Sequence, residues 1–195
     1  MRMLDTIERD GFKAVIEHDD DAANPRTEWD NLSKMVCFHK RYKLGDKHDY
    51  KQSDHQSWGE LYRAILVDEE PPLVAALYLY DHSGLRISVE PFGCKWDSGQ
   101  VGWAYVPGGS PEFAGMGDPE ARRTRALEII KSEVEVYDQY LSGEVFGVRV
   151  LNPDGEEVDS CWGFYGYDHA VEEANQMLDG ALGRTHEILP GLRAA

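Results

Sequence analysis

Cysteine and positive charge are scarce in this chain. Its 195 residues hold three cysteines, an odd number with no C-x-x-C spacing, which argues against a disulfide framework and for reduced thiols in a cytoplasmic protein. No stretch approaches the roughly 20 apolar residues of a membrane helix. Residues 1–10 alternate charge where a secretory signal would carry an apolar run, so no membrane association is expected. Strand–helix alternation with a glycine fingerprint is also missing, which disfavours a parallel nucleotide-binding sheet. Only 20 Lys and Arg stand against 36 Asp and Glu, a formal charge of −16. Such a field repels nucleic acid and attracts basic partners, so direct nucleic-acid binding is not expected. The same surface can resemble a phosphate backbone to a protein that binds one. Solubility, or life in a salty cytoplasm, is the plainer explanation of the acidity.

What is present suffices for a core: 42% of the residues are hydrophobic and 11% aromatic, and one α+β domain over 1–185 is expected, with 186–195 as a frayed tail. Residues 11–17 and 35–39 read as strands, separated by an acidic loop from His18 to Asn31. Residues 58–67 fit a helix carrying Trp58, Leu61, Tyr62, Ile65 and Leu66 on one side, ended by Pro71-Pro72. Residues 73–80 and 85–89 flank Asp81-His82-Ser83-Gly84 as a hairpin. A further strand covers 101–106, and a Gly/Pro-rich loop follows to Gly117. Asp118-Pro119-Glu120 has the chemistry of a helix start, and Ala126, Ile130, Val134, Tyr137 and Leu141 mark its apolar face up to Gly143. A second hairpin, 145–150 with 158–164, turns on Asn152-Pro153-Asp154-Gly155. Simple alternation sets Val158, Ser160, Trp162 and Phe164 on one face of its second strand. A last helix spans 170–182. The expected fold is an antiparallel sheet built from hairpins, covered on one face by two or three helices.

The charge is uneven. Residues 31–66 carry seven bases and four acids, while every other segment is net acidic. Lys34, Lys40, Arg41, Lys43, Lys47 and Lys51 are therefore the one place for an anion to dock. With Tyr42 and Tyr50 they form the basis of an RNA- or nucleotide-binding alternative. Glu128, Glu133, Glu135, Asp138 and Glu144 make the longest helix and its end anionic, and Glu133 lacks a well-placed downstream base. That face is either solvated or a docking surface for a basic partner.

Several clusters carry chemically capable residues. Cys37 and His39 share a strand face and, with Cys94 and Cys161, contain the ligand types of a Cys3His zinc site; buried cysteines beside a hydrogen-bonded His39 are the simpler reading. A Cys–His nucleophile oriented by Asp97 or Asp159 needs an electropositive setting that the acidic chain does not favour. Asp81, His82 and Ser83 are the residue types of a hydrolase triad but suit a turn. Trp96, Asp97, Ser98 and Gln100 would join Asp159, Ser160, Cys161 and Trp162 in one site if their strands are neighbours; otherwise these groups satisfy backbone and indole donors. No catalytic set is complete, and no cofactor or metal is implied. The enzymatic alternative is a small metal- or thiol-dependent hydrolase or nuclease-like activity.

The blocks Trp29-Asp30-Asn31-Leu32, Met35-Val36-Cys37-Phe38-His39 with Arg41-Tyr42 and Leu44-Gly45-Asp46, Leu77 to Gly84, Trp96 to Gly102, Tyr137 to Gly143, and Asp159 to Phe164 resemble a family of uncharacterised proteins of phages, plasmids and other mobile elements. The resemblance spans roughly residues 29–166 and departs at the Asp-rich N-terminal segment. It implies an accessory gene of a mobile element, a setting in which small acidic proteins blunt host defence by binding. The expectation is therefore a non-enzymatic inhibitor of a basic, nucleic-acid-handling host complex of CRISPR or restriction type.

Overall fold

The computed structural model describes residues 3–188. The chain forms two compact units, one from the residues up to Ala23 together with those from Gly143 onward, the other from Asn24–Ser142. Each is α+β with an antiparallel four-stranded sheet. The hairpins expected from the sequence are thus shared between two sheets.

In the terminal unit β1 (Met3–Arg9), β2 (Phe12–His18), β7 (Val145–Leu151) and β8 (Glu157–Tyr165) lie in that order, with α4 (Tyr167–Ile188) against one face. Phe12, Ala14 and Ile16 of β2, Phe146, Val148 and Val150 of β7, and Ala170, Ala174 and Leu178 of α4 close the core between them. The small residues of α4 let its backbone approach the sheet. α4 extends the expected last helix in both directions, and the rest of the expected tail, 189–195, lies outside the described residues.

One sequence expectation fails here for a definite reason. Gly163 has φ +84 and forms a bulge, so Phe164 opposes Phe146 while Trp162 opposes Gly147. The extra residue shifts the alternation by one: Phe164 enters the α4 core, and Trp162 lies across the other face. A Cβ on Gly147 would come within 2.0 Å of the Trp162 ring.

The central unit holds α1 (Pro25–Glu28), β3 (Lys34–Cys37), α2 (Trp58–Glu69), β4 (Val74–Asp81), β5 (Leu85–Ser88), β6 (Ser98–Tyr105) and α3 (Pro119–Ser142). Its sheet runs β3-β6-β4-β5. Alternate residues of β3 and β6 enter different cores. Met35, Cys37 and Ala104 join Ala126, Ile130, Val134 and Tyr137 of α3, whereas Val36 and Tyr105 join Leu61 and Ile65 of α2. The two helices therefore cover opposite faces of the sheet, a correction to the single covered face read from sequence.

Candidate functional site

Antiparallel pairing brings the end of β3, the end of β4 and the start of β6 to the same end of the central sheet. The ladder continues past the β4–β5 hairpin, where the Asp81 N–H donates to the Asp97 carbonyl at 2.8 Å. Around this end lies an open cleft of about 390 Å³, lined by Phe38, His39, Arg41, Leu79, Asp81 and the segment Trp96 to Val101. Seven of the residues singled out from sequence meet there: His39, Arg41, Asp81, Trp96, Asp97, Ser98 and Gln100.

The polar groups of the cleft are held by one another. Asp81 Oδ2 forms an ion pair with Arg41, which holds the guanidinium pKa above its ordinary value, and lies 3.9 Å from His39 Nε2. His39 Nδ1 accepts from the backbone N–H groups of Arg41 and Tyr42, each at 3.3 Å. A nitrogen that accepts carries no proton, so the neutral ring carries its hydrogen on Nε2, facing Asp81. The imidazole stacks on Tyr42 at 5.1 Å between centroids, and Arg41 lies over the same phenol. On the other side Asp97 Oδ2 accepts from the Cys94 thiol at 3.4 Å and is 3.6 Å from His82 Nδ1, and the Ser98 hydroxyl donates to the Cys94 carbonyl.

Among the described residues no hydroxyl or thiol is hydrogen-bonded to a histidine, and no group of three or more His, Cys, Asp or Glu is placed to hold a metal ion. Cys37 is buried in the α3-side core, where desolvation first, and the Asp46 carboxylate second, push its thiol up to about 12. Cys94 is half-buried in the loop before β6, and Cys161 is exposed on β8. With a thiol-specific disulfide reagent at neutral pH, Cys94 and Cys161 are expected to react in the native protein and Cys37 only on unfolding. Three equally fast thiols would contradict this burial.

The second motif belongs to the other sheet. Asp159, Ser160, Cys161 and Trp162 belong to β8 in the terminal sheet, while Asp97 and Ser98 precede and open β6 in the central one. Their strands are not neighbours, so the condition for one joint site is not met.

The anionic helix face also needs correction. Glu133 accepts from Arg26 at 2.9 Å, from the Leu32 N–H at 2.8 Å and from the Ser33 N–H and hydroxyl. Asp138 holds Arg86 through both carboxylate oxygens and accepts the Ile87 N–H at 2.7 Å. Both anchor loop and strand to α3 and are unavailable to an outside cation. Glu128 is exposed beside Arg125, Glu135 is exposed, and Glu144 lies beyond the helix end.

The basic segment forms the long irregular connection from β3 to α2 and lines two further clefts, of about 580 and 670 Å³. Asp49, Asp54, Asp68 and Glu69 share the first of these with Lys34, Lys47 and Lys51, so its charge is mixed. Tyr50 donates to Asp68, and burial pushes its hydroxyl up to about 12; Tyr42 is already stacked. Of the two tyrosines, Tyr42 is the one whose ring is stacked on a neighbour, His39. Sequence reasoning passed over Arg26 and Arg86 and gave Asp46 no structural role, because their partners are distant along the chain.

No protein-family model matches the chain, and comparison with curated proteins and with solved structures found no match. No helix among the described residues is long and apolar enough to cross a membrane.

Proposed function

We propose that this chain is a non-catalytic binding protein, an accessory protein of a phage or other mobile element that occupies a cationic surface of a host nucleic-acid-handling or defence complex. CRISPR and restriction effectors are the class of partner this reading favours. The observation that carries it is the placement of the charge. Residues 1–23 and 143–195 hold 17 acids against six bases, net −11, while 24–142 hold 19 against 14, net −5. Asp168 and Glu172 of α4 are exposed; Asp5, Glu8 and Asp179 are exposed as well but are engaged by Tyr167, Lys13 and Arg9. This charge distribution favours the terminal unit over α3 as the docking surface.

The test is binding of the purified full chain to such effectors at low and moderate salt. Electrostatic capture predicts affinity that falls about tenfold or more between about 50 and 200 mM salt, with slower association. Charge reversal at Asp168 and Glu172 is expected to weaken binding, and reversal at Glu135 to leave it nearly unchanged. Failure to bind any basic nucleic-acid-binding complex, or binding indifferent to salt, would overturn the proposal.

A further inference from the structure

The Trp96 side chain is 97% exposed. Among the described residues no ring or cation contact covers it. An indole offers a large apolar face, and leaving all of it in water gains nothing for the fold. It forms part of the cleft that holds His39, Arg41, Asp81, Asp97 and Gln100.

The chemistry beside the indole narrows the ligand. Asp81 is paired with Arg41, and Asp97 is engaged by Cys94 and His82. The Asp81–Arg41 pair exerts little net pull on an ion, and the Asp97 carboxylate, held by a neutral thiol, disfavours an anion. They still present lone pairs and N–H groups, and planar carboxylate and guanidinium groups engage adjacent polar groups two at a time. A molecule with one apolar face and a rim of hydroxyls meets both demands. The C–H groups on one side of a pyranose carry slight positive charge and suit the negative face of an indole. The cleft volume of about 390 Å³ is within the range of small-molecule sites. A phosphate-bearing ligand would instead approach two carboxylates on a chain of charge −16.

From these features we infer that the Trp96 cleft binds a neutral saccharide, stacked on the indole and hydrogen-bonded by Asp81, Asp97 and Arg41. This inference does not rest on the proposed anionic surface. The test titrates the full chain with chitohexaose, cellohexaose and maltohexaose, and with a single-stranded oligonucleotide, by calorimetry and tryptophan fluorescence. At least one hexasaccharide is expected to bind saturably, with affinity indifferent to salt. Trp96→Ala is expected to weaken that binding about tenfold or more, with Trp96→Phe intermediate. Because the side chain is exposed, both variants are expected to keep the parent melting temperature, so lost binding is not lost folding. Binding of none of the three sugars, saccharide binding unaffected by Trp96→Ala, or salt-sensitive capture of the oligonucleotide through Trp96 would each overturn the assignment.

Discussion

Replacing Arg26 by methionine is expected to cost the protein about 3–5 kcal/mol of stability, because it leaves two inward-facing carboxylates without their cation. The Arg26 side chain is fully buried, between Asp46 and Glu133 whose side chains are only 11% and 18% exposed. Its guanidinium donates to both Asp46 oxygens, to Glu133 at 2.9 Å and to the Ser33 carbonyl at 2.8 Å. Asp46 in turn accepts the Met35 N–H at 2.6 Å, so the network holds the start of β3. α1 exists to place this residue: Asn24 caps it by accepting the Arg26 N–H at 2.9 Å, and Glu28 accepts back from the Asn24 N–H at 3.0 Å. Urea unfolding would measure the loss. Adding Glu133→Leu to Arg26→Met is expected to recover part of it, since removing a buried charge together with its partner costs less than orphaning either. A loss below about 1 kcal/mol in the single variant would mean that solvent reaches the carboxylates and replaces the arginine.

That network shows what a sequence discloses and what it withholds. Local signals were legible: the apolar stripe of α3, the Asp118-Pro119 start, the Asn152-Pro153-Asp154-Gly155 turn, where the Asn152 side chain accepts the N–H of Asp154 and of Glu156. The α+β class followed from them. Long-range pairs were not legible. A helix-spacing rule finds no cation for Glu133, because its partner is 107 residues away on α1. β1 was also passed over: it is a mostly exposed edge strand with no apolar alternation. The Asp10-Gly11 turn, a strong short-range hairpin signal, would have revealed it. Asp159-Ser160-Cys161-Trp162-Gly163-Phe164 looked like chemistry because its residue mixture is odd for a strand. The oddity is the bulge at Gly163 and the bare Gly147 beneath Trp162. In Trp96 to Gly102 the mixture has two causes, and only coordinates separate them: Trp96 and Asp97 face the open cleft, whereas Gly102 is packed against backbone.

Gly102→Ala is the second substitution expected to be severe, at about 3 kcal/mol or more, beyond ordinary overpacking because the obstacle cannot rotate away. A Cβ there would lie 2.0 Å from the Val36 carbonyl oxygen, 2.9 Å from its carbon and 3.0 Å from Cys37 Cα. All three atoms are backbone of the neighbouring strand, so β3 and β6 must part to admit a methyl group. Gly102 pairs with Cys37, and the next rung is the Phe38 N–H donating to the Val101 carbonyl at 2.9 Å. Parting the strands therefore loosens the segment that delivers His39 and Arg41 to the cleft, and it opens the cover over Cys37. The variant is expected to show lower stability, faster thiol modification of Cys37 in the native state, and weaker ligand binding at Trp96. Gly99→Ala is the matched control on the same strand. Its added Cβ meets nothing within 4 Å, so its stability change is expected to stay within about 0.5 kcal/mol. Equal effects of the two alanines would show that the β3–β6 pairing yields to a methyl group.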